Sequence, residues 1–399
     1  MRIGIDYTAA VRQRAGIGRY TRNLVRSVAA LDSHNSYVLF AAAGRVQAYG
    51  SEPWPANFRL RQVPVSDRWL HILWQRLRLP VRIQIVTGKL DLFHAPDFVL
   101  PPVGRTPALV TVHDLSFLRL PECFVPGFAG YLRSAVSRAV RRANCIVADS
   151  ESTRRDLIDL MEVDEARVTV IYPGVEARFQ PVLDRSVLDR VRDDYGLPSR
   201  FVLGLGTLQP RKNFVALIQA FQRVLHAEAA STQTPDLQLV LAGEKGWMYD
   251  EIPLAVRKAG LEDRVRFVGF VADNDLPALY SLASVFAFPS LYEGFGLPVL
   301  EAMACGVPVV AADNSSLPEV VEEAGLLVNA RDTEGLAHAI SRLLRERSLR
   351  EQLIAAGHKQ AQRFAWGRAA RQLLALYEQI SGYSAPGAPS RSPSSKGLP

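Results

Sequence analysis

Residues 284–321 read SVFAFPSLYEGFGLPVLEAMACGVPVVAADNSSLPEVV. The apolar run SVFAFP is typical of a buried strand, and VPVVAA at 307–312 predicts a second one. Between them, Pro298 suits the first turn of a helix, where its missing N–H is not needed, and Cys305-Gly306 predicts the end of that helix. The segment therefore predicts a strand, a glycine-containing loop, a short helix and another strand.

The same alternation runs along the whole chain of 399 residues. Eleven apolar runs of strand length are separated by amphipathic helical stretches, which is typical of α/β proteins whose parallel sheets are covered on both faces. Eleven strands suit two Rossmann-like, doubly wound halves better than one sheet. The turn-rich, charged stretch 173–199 is the expected linker, so we predict domains at 1–180 and 181–366. The tail 385–399 is rich in Pro, Ser and Gly and is expected to be disordered.

The composition, 48% apolar and 22% charged, is that of a globular protein. No apolar stretch reaches membrane-spanning length, and the start MRIGIDYTAA resembles a strand rather than a secretion signal. The three cysteines, Cys123, Cys145 and Cys305, lack metal-ligand spacing. We expect them to be reduced, buried thiols of a cytoplasmic protein.

The positive charge is concentrated in the first half: residues 1–180 carry a balance of +8 and the remainder −1. This asymmetry suggests an anionic partner, either nucleic acid or the anionic inner face of a membrane. No signature of an RNA- or DNA-binding module is present, so we predict no nucleic-acid partner. Two stretches, 66–83 and 126–144, combine aromatic residues with arginines, as peripheral membrane surfaces do. The alternative is two helices that bury their apolar faces in the domain.

Two carboxylates, Glu293 and Glu301, lie eight positions apart in the opening segment. The free N–H groups at the start of the predicted helix form an anion site between them. A phosphate bound there, with a sugar on either side, would meet one carboxylate per sugar. The alternative is a glycine-rich turn with two solvated glutamates.

This block resembles the E-x7-E motif of retaining glycosyltransferases with the GT-B fold, family 4 in particular, and the resemblance extends over about residues 2–381. It implies two Rossmann-like domains facing a central cleft, with a last helix, about 367–381, that crosses back onto the first domain. It also implies that Glu293 faces the transferred sugar and that Glu301 hydrogen-bonds the nucleotide ribose. The loop residues implied to contact the donor are Gly294, Phe295, Gly296 and Leu297.

The segment FVLGLGTLQPRKNF at 201–214 places two cations at a helix start that follows a strand, which fits a diphosphate. It resembles the family's phosphate-binding loop G-R-L-x-x-x-K, beginning at Gly206. Thr207 stands where the arginine usually is, while Lys212 holds the lysine position. Arg211 is predicted to replace the missing cation. The alternative is a solvated Arg-Lys pair.

Further along, the resemblance implies that the backbone around Val271 lines the nucleobase pocket. The triplet Asp273-Asn274-Asp275 has the D-x-D spacing of some metal sites. Because it precedes a helical stretch, we expect it to cap that helix instead. We predict no metal cofactor.

In the first half, Gly16 and Gly18 precede a helix and resemble the family's N-terminal glycine loop, which lies over the donor sugar and diphosphate. Arg19 follows at the helix start and is expected to be solvated. His113 ends an apolar strand, at the edge where parallel sheets bind ligands, and resembles the active-site histidine that contacts the transferred sugar.

Four residues are assigned to the acceptor side of the cleft: His94, Asp114, Ser150 and Glu151. For Ser150-Glu151 the alternative is an ordinary helix N-cap.

The resemblance implies transfer of a hexose from a nucleotide sugar with retention of configuration. The form GTL-x-PRKN resembles bacterial mannosyl- and deoxyhexosyltransferases, so we predict GDP-mannose as donor and a glycan or lipid-linked acceptor in polysaccharide or glycolipid synthesis. The alternatives are a UDP- or dTDP-sugar transferase, a nucleotide-dependent oxidoreductase or epimerase, and a non-catalytic sugar-binding protein. The oxidoreductase would need G-x-G-x-x-G after the first strand, and GIGRYT at 16–21 lacks the third glycine.

Overall fold

The computed structural model describes residues 1–14, 16–42, 53–66, 69–70, 72–77, 79–229 and 236–382. Within these ranges thirteen strands form two sheets, and all paired strands run parallel. The first sheet contains β1 (Arg2–Asp6), β2 (Ser36–Ala42), β3 (Phe58–Val63), β4 (Leu92–Ala95), β5 (Ala108–Val112), β6 (Cys145–Ala148) and β7 (Val168–Val170). The second contains β8 (Arg200–Leu205), β9 (Leu237–Ala242), β10 (Val265–Gly269), β11 (Val285–Phe288), β12 (Val309–Ala312) and β13 (Leu326–Val328).

The strand order makes both sheets doubly wound. It is β3-β2-β1-β4-β5-β6-β7 in the first sheet and β10-β9-β8-β11-β12-β13 in the second. In each sheet the chain adds strands on one side of the first strand and then on the other, which opens a crevice at the carboxyl ends where the direction reverses. The predicted architecture of two Rossmann-like domains is confirmed.

Alternate residues of a strand enter two hydrophobic cores on opposite faces of its sheet. In β2, Tyr37 and Leu39 belong to one core, and Val38 and Phe40 belong to the other. Because both faces are covered, most strands are apolar throughout. The covering helices are α1 (Thr8–Arg12), α2 (Ile17–Leu31), α3 (Gln84–Thr87), α4 (Ser116–Arg119), α5 (Phe128–Arg142), α6 (Glu151–Met161), α7 (Arg185–Asp194), α8 (Phe214–Ala229), α9 (Glu251–Ala259), α10 (Leu276–Leu282), α11 (Leu297–Ala304), α12 (Leu317–Val321), α13 (Thr333–Arg345), α14 (Arg347–Gln362) and α15 (Trp366–Ser381).

Two observed strands are missing from the eleven predicted ones. β3 reads FRLRQV and lies at the edge of its sheet, where alternate side chains reach water and the run is not continuously apolar. β4 reads LFHA, and the polar His94 interrupts its apolar run. Both strands lack the continuous apolar run on which the prediction depended.

The last helix, α15, packs against the first domain. Trp366, Leu373 and Tyr377 are buried in the core of the first sheet, as the implied crossover requires. The domain limits at residues 180 and 366 stay predictions. The tail 385–399 lies outside the described residues, so its disorder also stays a prediction.

The two basic aromatic stretches differ in burial. The stretch 126–144 forms α5, which buries its apolar face in the first domain, as the alternative interpretation expected. The stretch 66–83 is described only in part, and there Trp69 is 65% and Leu77 59% exposed. In the described part of the chain, no helix is long and apolar enough to cross a membrane.

Candidate active site

The cationic pair that follows β8 is bound to Glu293. Lys212 Nζ donates to Glu293 Oε1 at 2.6 Å, and Arg211 Nη1 lies 3.0 Å from Glu293 Oε2. The three side chains are at most 15% exposed. Burial raises the pKa of Glu293, but the two cations outweigh it and lower that pKa to about 2. Glu293 is therefore an ionised carboxylate at neutral pH.

A tight turn, Pro210–Lys212, presents these cations. Asn213 ends it in the left-handed region, at φ 58°, which asparagine tolerates better than most residues. The Asn213 Nδ2 donates to the carbonyl oxygen of Pro289 at 3.0 Å and to that of Ala330 at 2.7 Å. These bonds fix the cationic turn to the segment that leads from β11 to Glu293.

Glu301, which is 2% exposed, lies inside α11. Its Oε1 accepts from Arg19 Nη2 at 2.6 Å, and its Oε2 accepts from the Tyr280 hydroxyl at 3.0 Å. The same Arg19 Nη2 donates to Glu176 Oε1 at 2.9 Å. Burial raises the pKa of Glu301, and Arg19 opposes that shift. The prediction that Arg19 is solvated is wrong, because its guanidinium crosses from the first domain to this buried carboxylate.

His113 follows β5 and is held in its charged form. Its Nδ1 lies 2.6 Å from Asp149 Oδ2, and its Nε2 lies 3.0 Å from the carbonyl oxygen of Pro96. Both partners are acceptors, so both ring nitrogens carry a proton. Burial lowers the pKa of His113, but Asp149 outweighs it and raises that pKa to about 9.

The loop that carries Glu293 packs directly on the end of β5. A Cβ at Gly294 would lie 2.9 Å from the carbonyl carbon of His113 and 3.0 Å from Asp114 Cβ, so this contact requires glycine. The Thr153 hydroxyl donates to the His113 carbonyl oxygen at 3.0 Å. The two domains therefore touch at the floor of the cleft, beside Glu293.

The remaining predicted donor residues of this block divide between loop and core. Gly296 has φ 115° and immediately precedes α11, which begins at Leu297. The ring of Phe295 packs among Tyr172 and Phe364, with centroids 5.9 and 5.5 Å away. The side chain of Phe295 therefore belongs to the hydrophobic core of the second domain.

A cavity of about 610 Å³ lies between the domains, within the size range of small-ligand sites. Gly206, Thr207 and Val271 line it from the second domain. From the first domain it is lined by residues of the loop before α2 and by its first turn, among them Arg12, Arg14 and Arg19. Gly16 ends that loop, whereas Gly18 lies in the first turn of α2 and not before the helix as expected; a Cβ at Gly18 would collide with the backbone of Gln13.

Two family models match the chain. The model of glycosyl transferases group 1 matches residues 190–360, and that of glycosyltransferase family 4 matches residues 14–179. The O-antigen chain mannosyltransferase B of Escherichia coli is 31% identical, over 92% of this chain and 96% of its own. The chain belongs to the group 1, family 4 glycosyltransferases.

Other relatives agree with this family. The D-inositol 3-phosphate glycosyltransferase of Salinispora arenicola is 37% identical over 74% of this chain and 70% of its own. Sucrose-phosphate synthase from Thermosynechococcus elongatus superposes with a TM-score of 0.74 at 24% identity, covering 96% of this chain and 100% of that one. Anabaena HepE in complex with UDP-glucose gives 0.71 at 21% identity, covering 95% and 99%. The GT-B fold is confirmed, and the oxidoreductase, epimerase and non-catalytic alternatives lose their support.

In this glycosyltransferase His94 does not reach the acceptor side, which corrects its assignment. It is 1% exposed, and its ring nitrogens lie 2.7 Å from the Tyr377 hydroxyl and 3.0 Å from the Thr111 hydroxyl. Burial lowers the pKa of His94 to about 3, so the ring is neutral. His94 ties the first sheet to α15.

Ser150 and Glu151 lie at the domain boundary in structural roles. The Ser150 hydroxyl accepts from the amide of Thr153 at 3.0 Å and caps α6. The amides of Glu151 and Ser152 donate to the Glu319 carboxylate of α12 at 2.9 and 2.7 Å. Glu319 of the second domain thus accepts hydrogen bonds from the first backbone amides of α6 in the first domain.

Asp114 lies closer to the predicted chemistry. Its Oδ1 accepts from the amide and the hydroxyl of Ser116, at 2.8 and 2.6 Å, where α4 begins. Together with Glu293, its charge outweighs burial and raises the pKa of Arg211. The carboxylate of Asp114 is therefore close enough to the cationic pair to act on it electrostatically.

The acidic triplet does not cap α10 with its side chains. Asp275 precedes that helix, but its carboxylate accepts from Arg190 Nη2 at 2.7 Å and from the Tyr195 hydroxyl at 2.9 Å. Asp273 lines the cavity instead. In the described ranges, no group of three or more His, Cys, Asp or Glu residues could hold a metal ion, and the lack of a metal cofactor stays a prediction.

Sequence reasoning missed Tyr280, Glu176 and Asp149, which hold the predicted residues in place. Tyr280 lies in the apolar helix LPALYSL, where a tyrosine is typical of a core. Asp149 carried a usable signal, because it follows β6 as His113 follows the adjacent β5. Finding that pair required the strand order.

Proposed function

We propose that this glycosyltransferase transfers mannose from GDP-mannose, with retention of configuration, to a glycan or lipid-linked acceptor in bacterial polysaccharide or glycolipid synthesis. The observation that carries the proposal is the cluster of Arg211, Lys212 and Glu293 beside the interdomain cavity. The stem of Lys212 lies against Gly206, which lines that cavity. The mannosyltransferase name of the Escherichia coli relative supports mannose as the transferred sugar.

The donor diphosphate fits next to the cationic pair. When the bond between the anomeric carbon and the phosphate oxygen breaks, negative charge grows on the leaving diphosphate, and preformed cations stabilise it. Arg211 and Lys212 are at most 15% exposed and are already held beside the cavity by Glu293, with which the diphosphate exchanges for them. Arg211 supplies the cation that Thr207 does not.

Glu293 is assigned to positioning the sugar and to stabilising positive charge at the anomeric carbon. Its two oxygens are bound to cations and its pKa is about 2, so it is a weak base and a weak nucleophile. The acceptor oxygen then attacks on the face from which the diphosphate leaves, and the acceptor's proton passes to a phosphate oxygen. A covalent intermediate through Glu293 is the alternative, and it would first have to release both ion pairs.

Asp273 supports GDP over UDP or dTDP. Guanine presents an N1–H and an N2–H₂ side by side, and one carboxylate can accept from both. Uracil and thymine present a single N3–H between two acceptors. Asp273 lines the cavity with Val271, and its carboxylate is 36% exposed.

The donor is tested with purified full-length protein and a panel of GDP-, UDP- and dTDP-sugars. We expect release of nucleoside diphosphate from GDP-mannose above all others, and a product whose anomeric signal in NMR matches the donor's configuration. Asp273→Asn should reduce the rate with GDP-mannose and leave any slow UDP-sugar reaction unchanged. Turnover of UDP- or dTDP-sugars alone would refute the donor, and an inverted product would refute retention.

For a lipid-linked acceptor, the proposal includes binding of the first domain to the anionic inner face of a membrane. Trp69, Leu77 and Ile85 are 65%, 59% and 77% exposed on the first domain, which also carries the charge excess of +8. Aromatic and aliphatic side chains with basic residues suit shallow insertion among anionic headgroups. Co-sedimentation with phosphatidylglycerol vesicles should weaken with added salt and with Trp69→Ser. Equal binding to neutral vesicles would contradict this part.

A further inference from the structure

Arg19 joins three parts of the chain through one guanidinium. It lies in the first turn of α2, and its Nη2 donates both to Glu301 in α11 and to Glu176, which follows the first sheet. The guanidinium also lies 5.3 Å from the ring centroid of Phe179. The three charged side chains are at most 17% exposed. The carboxylate assigned to the donor ribose is thus already bound by a cation.

Arg19 has unused hydrogen-bonding capacity at the cavity. Its Nε is buried and, among the described residues, has no hydrogen-bond partner. The side chain lines the cavity, and the first turn of α2 contains no acidic residue. A buried N–H without an acceptor costs free energy, and the start of a helix attracts anions. Both features indicate that an anionic group of a ligand completes the bonding of Arg19.

We propose that Arg19 exchanges partners during donor binding. In the free enzyme it neutralises Glu301; in the complex the ribose hydroxyls bind Glu301 and the guanidinium passes to the donor diphosphate. The proposal deepens the proposed function, on which it rests for the role of Glu301. A nucleoside without phosphates must therefore compete with Arg19 for the Glu301 carboxylate. A nucleoside diphosphate instead offers the Arg19 guanidinium a new partner.

The exchange is favourable because it leaves no charge unpaired. Removing Arg19 from Glu301 without compensation would strand a buried carboxylate, which is strongly unfavourable. The diphosphate replaces one charge-assisted contact by another, and the planar guanidinium suits phosphate oxygens. Because Arg19 belongs to the first domain, the exchange would also tie that domain to the donor and close the cleft around it.

The test compares guanosine with GDP on the full-length protein. Arg19→Gln should bind guanosine about tenfold more tightly, since the competitor for Glu301 is gone, and GDP about tenfold more weakly, since a charge-assisted contact is lost. Ligand-observed NMR gives the guanosine affinity, and calorimetry gives the GDP affinity. The distinguishing result is the opposite sign of the two changes.

Arg178→Gln is the matched control. Arg178 also binds Glu176, at 2.9 Å, and lies 5.2 Å from the ring centroid of Phe179, but in the described part of the chain its ion pairs are with Glu176 and Asp273 and not with Glu301. It should shift both affinities in the same direction. Arg19→Lys keeps the charge and should show smaller changes of the same signs as Arg19→Gln, which guards against a Gln variant that fails to fold.

The proposal is overturned if Arg19 variants weaken both ligands or change neither. If the wild-type protein binds UDP and not GDP, the donor assignment fails, and the same comparison with uridine and UDP decides the role of Arg19. If it binds no nucleoside diphosphate, both proposals fail.

Discussion

Replacing Gly294 by alanine tests whether the contact between the domains positions the chemistry. The added Cβ would lie 2.9 Å from the carbonyl carbon of His113 and 3.0 Å from Asp114 Cβ, and closer still to the His113 carbonyl oxygen. Non-bonded carbon atoms normally approach to about 3.5–4.0 Å. The loop must therefore retreat by roughly 1 Å, because these neighbours are mainly backbone and cannot swing aside.

The magnitude follows from that displacement. Overpacking of this kind costs typically about 1–3 kcal/mol. A loss of about 2 kcal/mol lowers the Tm of a domain of this size by roughly 4–8 °C. Glu293 is the residue next to Gly294, and a misplacement of about 1 Å in a catalytic group can reduce the rate about 100-fold.

The assay measures kcat and Tm of Gly294→Ala together with Gly130→Ala. Gly130 lies within α5, and a Cβ there would meet nothing within 4 Å. The control should keep the wild-type rate and gain up to about 1 kcal/mol from the higher helix propensity of alanine. If Gly294→Ala keeps both the rate and the Tm of the wild type, the contact with His113 does not position Glu293.

Three further predictions concern single side chains. His113 should titrate near pH 9 when followed by NMR. Because its pKa in the folded protein lies above its pKa in the unfolded chain, its contribution to stability is complete below about pH 6.5 and is lost as the pH rises through 9. His113→Gln should therefore flatten this part of the plot of Tm against pH. Glu293→Gln should lower kcat about 100-fold or more, while KM for the donor stays equal or falls, because Arg211 and Lys212 are released to the diphosphate; an unchanged kcat would contradict its role. Tyr377→Phe should lower the free energy of unfolding by about 1–3 kcal/mol without changing kcat, because it removes the hydroxyl bound to the buried His94 ring; a large loss of kcat would restore His94 to the active site.

The sequence predicted what is encoded in short segments. Buried parallel strands are continuously apolar, so eleven of the thirteen described strands were identifiable, and the edge strand β3 was not. Glu293 and Lys212 were predicted separately from two local motifs, and the structure brings their charged groups within 2.6 Å. The two motifs follow β8 and β11, which are neighbours in the second sheet, and their carboxyl ends therefore meet at the same edge.

What was missed depends on contacts between distant segments. Arg19 and Glu301 are 282 positions apart, and only the packing of the two domains shows that the arginine is buried. His94 has the same pattern as a ligand-binding histidine at a strand end, but α15 covers it with Tyr377. In both cases the residue that contacts the side chain lies far along the chain, so the local pattern of apolar and polar residues carries no information about the contact.

The two carboxylates predicted to bind the donor are both paired with cations in the described structure. Glu293 is bound by Arg211 and Lys212, and Glu301 is bound by Arg19, so neither is a bare buried anion. An isolated buried carboxylate would be costly, and the pairing removes that cost before the donor arrives. A diphosphate therefore does not enter an unpaired cationic site; it exchanges with carboxylates for the same cations. Its net affinity is then a difference between two sets of ion pairs, and the substitution of Glu293, which is assigned to the transferred sugar, should affect donor binding much less than it affects transfer.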